Sequence, residues 1–232
     1  NRPGPIDKQR PRTVEEADAV RPLRPAPNGF RQIAELGNEG RSWYRGVRVL
    51  LDQRGDPLSF SVSYTLAKAE DMLNHFSVPE DSSDPLLDKG PQIADQRHNV
   101  TLASTWSLPG RGAVLSDWRL SGLAQVHSGL PYTIIYGDDR WGTTQADARP
   151  GGRNTARGSG YGNVDISVAR LFLLQDFRLE VRADVFNLLN NANYIAQGYV
   201  GVIGSDNFGK PTGGLFGVFP GRQIQIGAVV RF

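Results

Sequence analysis

The 232-residue chain carries 26 Lys and Arg against 24 Asp and Glu, a net charge of +2, with the basic residues spread along it, so no nucleic-acid partner is expected. With no cysteine it has neither disulfides nor thiolate metal sites, and no run approaches the ~18 to 20 apolar residues of a membrane-crossing helix. Its 27 glycines and 15 prolines favour turns and strands, and its length suits one domain or part of a larger one.

Residues 1–29 are rich in proline, arginine and acidic residues and lack periodicity, so a loop or disordered start is expected there, with a short helix at Val14 to Ala19 as the one candidate element. Residues 30–232 are expected to hold the strands. Phe30 to Leu36 is a weak strand, followed by a turn through Gly37, Asn38 and Gly40. From Trp43 to Arg54, Val47, Val49 and Leu51 alternate with Arg48, Leu50 and Asp52, and Gly55-Asp56-Pro57 turns the chain. Leu58, Phe60, Val62, Tyr64 and Leu66 then share one face of a strand, opposite Ser59, Ser61, Ser63, Thr65 and Ala67.

After an acidic, proline-containing connection over residues 70–94, Arg97 to Leu108 resumes the alternation, with Val100, Leu102 and Trp106 opposite Asn99, Thr101 and Thr105. Pro109-Gly110-Arg111-Gly112 turns the chain into Trp118 to Ser128, and Tyr132 to Tyr136 is expected to extend that strand. Gly137 to Gly160 reads as a long exposed loop. Asn163 to Phe172 alternates again, and a short turn near Gln175 leads to Phe177–Asn190, where Phe177, Leu179, Val181, Ala183 and Val185 oppose Arg178, Glu180, Arg182 and Asp184. A glycine-rich loop over residues 191–219 precedes the last strand, Gln223 to Phe232.

Alternation alone leaves open a soluble sandwich, with its apolar faces in a core and its charged faces in water. The loop lengths favour a membrane barrel. Connections near Gly55, Gly110 and Gln175 are short and those at 70–94, 137–160 and 191–219 are long, the parity of an up-and-down barrel with short periplasmic turns and long extracellular loops; a sandwich mixes the two at both ends. Strands of about 12 residues tilted by ~40° rise roughly 30 Å, enough for the ~25 Å apolar band of an outer membrane. Trp106 and Trp118 flank one short turn and Phe172 and Phe177 another, where an aromatic girdle belongs. The fold expected is therefore all-β: an antiparallel, up-and-down transmembrane β-barrel segment of about eight strands. Leu58, Phe60, Val62, Leu179, Val181, Ile224 and Ile226 face lipid, and Arg97, Arg119, Gln125, Arg178, Glu180, Arg182 and Asp184 face the lumen.

Four short motifs carry a family resemblance. They are Ser63-Tyr64-Thr65-Leu66-Ala67-Lys68-Ala69 ending an upward strand, Asp95-Gln96-Arg97-His98 opening the next downward one, Ser128-Gly129-Leu130-Pro131-Tyr132 entering a loop, and Phe186-Asn187-Leu188-Leu189-Asn190 closing the penultimate strand. In order and spacing over residues 43–232 they resemble the C-terminal barrel portion of TonB-dependent outer-membrane receptors, with the Oar-like group, which carries an N-terminal carboxypeptidase-regulatory-like domain, the nearest in kind. The ending Gly227 to Phe232 resembles the signal read by the outer-membrane assembly machinery, with Gly227, Val230 and Phe232 at its spaced positions and Val230 where an aromatic is common. The resemblance implies a barrel of about twenty-two strands around a plug, coupled to TonB through an N-terminal part, importing a nutrient. The chain opens at Asn1 without an initiator methionine or a leader, and is expected to be a piece of a longer product that supplies the plug and the remaining strands.

No catalytic constellation stands out, so no enzyme and no cofactor is expected. His75, His98 and His127 lie apart with no ligand spacing; Glu80, Asp81, Asp84 and Asp88, and the pair Asp138-Asp139, follow no calcium-loop pattern and read as solvated loop charge. Tyr132, Tyr136, Trp141 and Tyr161 are the candidates for ligand contact at the outer mouth. A small self-contained barrel of about eight strands with a structural or adhesion role, and a soluble sandwich binding module, are the competing readings.

Overall fold

The computed structural model describes residues 40–72, 85–110, 112, 116–138, 148–194, 199–211 and 220–232. The expected strand at Phe30 to Leu36 and helix at Val14 to Ala19 lie outside them.

Seven long strands follow the expected periodicity: β1 (Ser42–Gln53), β2 (Leu58–Asp71), β4 (His98–Ser107), β5 (Trp118–His127), β8 (Tyr161–Leu173), β9 (Arg178–Phe186) and β10 (Gln223–Arg231). Three two-residue strands, β3 (Gly90–Pro91), β6 (Pro131–Tyr132) and β7 (Ala156–Arg157), lie in the long connections. The long strands form one antiparallel sheet in the order β1-β2-β4-β5-β8-β9-β10, each bonded to its neighbour in the meander, with β3 against the end of β2. Short links close at one end over residues 54–57, 108–117 and 174–177; the long links over 72–97, 128–160 and 187–222 gather at the other.

Directly opposed residues in an antiparallel pair lie on the same face, so the register fixes what each face carries. Val62 pairs with Leu102, Leu102 with Ala124, Ala124 with Val164, and further along the sheet Val168 pairs with Ala183 and Ala183 with Ile226: an apolar face. Ser59 pairs with Thr105, Thr105 with Ser121, Ser121 with Ser167, Ser167 with Asp184 and Asp184 with Gln225: a polar face.

Burial is inverted relative to a water-soluble domain. The buried apolar residues are Ala67, Ala69, Met72, Ala148 and Ala169, whereas Asp88, Asp95 and Pro131 are the largest side chains buried completely. Val181 is 37% exposed and Ile226 77%, with no second layer over them among the described residues. Contiguous apolar surface on this scale is foreign to soluble monomers, which rarely expose more than a few hundred Å² in one patch. A sandwich would bury this face, and this sheet does not.

Two expectations need correcting. Tyr132 to Tyr136 does not prolong β5: Pro131 is buried, β6 turns aside to pair with β7, and Ile135 bridges Val202 from the next long loop. Residues 148–160 are only partly the exposed loop expected, because Ala148, Arg153 and Asn154 are buried.

The end of β9 is locked by asparagines. Asn187 and Asn190 adopt left-handed backbone with φ of 50° and 54°, a region asparagine tolerates because its amide bonds locally. The Asn187 amide donates to the carbonyls of Asn191 (3.0 Å) and Pro220 (3.1 Å), and its oxygen accepts from the Asn191 N–H (3.0 Å). Asn190 accepts from the Arg222 N–H (3.0 Å), so this motif fixes where β10 enters the sheet. Replacing Asn187 by alanine is expected to cost about 2 to 4 kcal/mol through the lost bonds and the strained φ. Faster proteolysis within residues 187–222 would register it; Asn187→Gly, which keeps the conformation, should lose less.

Candidate functional site

The polar face is concave. One groove of about 550 Å³ is lined from Asp52 on β1 through Ser61, Thr105, Ser121 and Asp165 to Asp184 on β9. Strands that far apart in the sheet meet a common cavity only if the sheet curls toward this side. A second cavity of about 570 Å³ opens on the same face nearer the long loops, lined by Arg48, Ser63, Thr65, Gln96, Asn99 and Thr101 among others.

Short hydroxyl side chains dominate the middle of this wall. Thr105 and Ser121 hydrogen-bond at 3.2 Å, and Arg48 Nε donates to Ser63 Oγ at 3.0 Å. Gln125 stands opposite Thr101 and Asn163. Arg119, Arg178, Glu180, Arg182 and Asp184 share the face by register, and Arg182 pairs with Asp184 on its own strand at 2.9 Å. Arg182 is half exposed, so that pair contributes little, about 0 to 1 kcal/mol. Arg97 lies just outside β4 and is held through its carbonyl, which accepts the Ala67 N–H at 3.0 Å. Leu58, Phe60, Val62, Leu179, Val181, Ile224 and Ile226 all lie on the convex apolar face.

Gly227 sits on the polar face opposite Arg182, and Val230 on the apolar face opposite Leu179. The fully exposed Phe232 lies with its ring centroid 6.3 Å from that of Phe177 at the short-turn end. Beyond β10 no further strand pairs among the described residues, so its outer edge offers the free N–H and C=O groups that strand addition uses.

Above the wall the first two long loops are tied together by three acid–base pairs, two of them buried, Asp71 with Arg153 and Asp88 with Arg149, and one partly exposed, Asp95 with Arg157. Arg153 also donates to the carbonyls of Asp88 (3.0 Å) and Asp71 (2.7 Å), and Arg157 to those of Asp95 (2.8 Å) and Gly129 (3.0 Å). Asp95 in addition accepts the Ala69 N–H at 2.6 Å, which pins the loop to the end of β2. Asn154 donates to the Pro91 carbonyl at 2.8 Å and exchanges bonds with Thr133. Backbones also touch. A Cβ on Gly90 would strike the Arg153 carbonyl, and one on Gly129 the Gly158 carbonyl, so both positions need glycine.

Asp88 is thus buried and paired, not solvated. The sequence reading missed the arginines that answer these carboxylates; their only signal, a spacing of four at positions 149, 153 and 157, has no meaning outside a helix.

The aromatic candidates separate. Tyr132 stacks on Tyr199 at 5.3 Å, and the Tyr199 hydroxyl accepts the Ser159 N–H at 2.7 Å, which draws the third long loop onto the second. Tyr161 stacks flat on His127 at 4.6 Å at the top of the polar wall. Tyr136 donates its backbone N–H to the Ala148 carbonyl at 3.1 Å, and Trp141 lies outside the described residues, as do His75, Glu80, Asp81, Asp84 and Asp139. His98 bonds Tyr64 at 2.9 Å on the apolar face, at the long-loop end.

A family model described as "Outer membrane beta barrel domain" matches residues 1–152 and 150–225. No curated protein matches the chain.

Removing one partner of a buried ion pair strands the other charge, at a cost of about 3 to 5 kcal/mol. Arg153→Ala is therefore expected to expose the connections 72–97 and 128–160 to protease, and Asp71→Asn with Arg153→Met should recover part of the loss. Arg157→Ala, at a pair where the arginine is about one-third exposed, should cost less.

Proposed function

From the chain's membership of the outer membrane beta barrel domain family, which places it in the outer membrane of a Gram-negative bacterium, we propose that these strands form the C-terminal part of a TonB-dependent receptor that imports a nutrient. One observation carries the reading. The sheet of seven long strands presents a concave polar wall and ends on two edges, the outer sides of β1 and β10, without strand partners among the described residues. In hydrocarbon an unpaired strand edge costs several kcal/mol per polar group, so such a sheet needs further strands to close it. Its short hydroxyl rows leave room for a protein body inside, and the plug of this receptor class is a body of that kind. The four motifs support the same assignment.

On this reading the apolar face meets outer-membrane lipid, the assembly machinery captures β10 by strand addition at Gly227, Val230 and Phe232, and TonB acts through the N-terminal part. The three tied loops would form a rigid outer mouth. Rigidity suits ligand capture there, because little ordering entropy is then lost on binding. Tyr132, Tyr136 and Tyr161 are proposed to contact ligand in that mouth.

The test uses the full-length protein in intact outer membranes. Photo-crosslinkable residues at Ser121 and Ser167 should capture an N-terminal segment of the same polypeptide, and uptake should stop when the inner-membrane energy source is collapsed. A wall that crosslinks to no other part of the chain, in a protein whose heat-modifiable gel mobility is intact, would instead favour a small closed barrel.

A further inference from the structure

Charge on the convex face gathers at the long-loop end of β1 and β2. Along these strands Val47 pairs with Leu66, Val49 with Tyr64 and Leu51 with Val62, all on the apolar side. One step beyond Val47 and Leu66 on the same side, Arg45 stands directly opposite Lys68, and one step further Trp43 stands opposite Glu70. Lys89, from the connection after β2, places its Nζ 4.5 Å from the centroid of the Trp43 ring. Lys68 Nζ lies 2.8 Å from Glu70 Oε1, and the charges of Lys68, Lys89 and Arg45 all act on that carboxylate. Three cations therefore surround one acid on this patch, and Arg45, Lys68 and Lys89 are all exposed.

The other side of the same strand end is closed. Ala67, Ala69 and Asp71 are buried beneath the tied loops. On the barrel reading the cations are thus on the lipid side, one step beyond the last apolar pair, Val47 and Leu66. Exposed lysine and arginine at that depth, beside an aromatic ring, match an anionic headgroup: flexible ammonium groups and a planar guanidinium can surround a phosphate, while acyl chains lie along Val47, Val49 and Leu66 below.

We propose that Arg45, Lys68 and Lys89, with Trp43, form a binding site for the phosphorylated glucosamine headgroup of an outer-leaflet glycolipid, lipopolysaccharide. The site rests on the barrel reading only for its orientation, with the long loops outward. It would fix the height of the β1–β2 hairpin in the membrane and seat a lipid beside the first of the sheet's free edges.

The test is lipid retention by the full-length protein, extracted from outer membranes in mild detergent and gel-filtered, with bound lipopolysaccharide measured by its phosphate and hydroxy fatty acids. The wild-type protein is expected to retain it, and the triple variant Arg45→Gln, Lys68→Gln, Lys89→Gln to retain about tenfold less or lower still. A control that removes two charges elsewhere, Arg54→Gln with Lys210→Gln, should retain wild-type amounts. Added back to lipid-stripped protein, lipopolysaccharide should rebind and its dephosphorylated form should not. Equal retention by the triple variant, equal loss by the control, or equal rebinding of the dephosphorylated lipid overturns the inference. Heat-modifiable mobility is read on every sample: its presence with any of those results sinks the lipid site alone, and its absence in the wild type sinks the barrel reading beneath it.

Discussion

Everything in this fold follows from a sheet that must satisfy its backbone internally while presenting hydrocarbon on one side. Inside a bilayer no water is available for N–H and C=O groups, so long meandering strands that bond to their neighbours are one of only two workable solutions. Side chains then sort mainly by parity, with most Val, Leu, Ile and Phe outward and most Ser, Thr and Asn inward. This accounts for the inverted burial, in which Ile226 is open and Asp88 and Asp95 are enclosed. It also leaves the sheet without an apolar core, so rigidity at the long-loop end comes from buried ion pairs and asparagine turns.

The motifs that gave the family resemblance find their physical meaning at that end. Asp95 bonds the Ala69 N–H and Arg157, Gly129 admits the Gly158 carbonyl, and Asn187 and Asn190 fix the entry to β10. Each motif marks a junction where a spanning strand meets an ordered loop. Mid-strand positions need only the right polarity and can vary, whereas a carboxylate that must meet one backbone amide, or a residue that must hold a positive φ, has few substitutes. An expected outline of short and long connections and a set of junction residues were therefore readable in the chain.

Partners distant in sequence were not. Strand boundaries and faces are written in a period of two, and Leu58 through Leu66 or Phe177 through Val185 carry it plainly. Nothing local in Arg153 announces Asp71, and nothing in Tyr132 announces Tyr199, because pairing across loops depends on how the whole end folds. Loop charge that looks solvated in a linear reading, as at Asp88, becomes buried once a second loop brings arginine to it. For the same reason Tyr132 to Tyr136 was expected to prolong β5, although Tyr132 pairs in a separate, smaller sheet and Ile135 bridges Val202.

The central claim is that lipid tails solvate the convex side of the sheet. Spin labels placed singly along β9 and β10 of the full-length protein in bilayers test it most directly, through relaxation by dissolved oxygen against a water-soluble nickel chelate. Oxygen accessibility should peak at positions 181, 183, 224 and 226 and nickel accessibility at 182, 184, 225 and 227, with a period of two. A flat profile, or low accessibility to both reagents at 181 and 226, would mean that protein covers this face and would contradict the account.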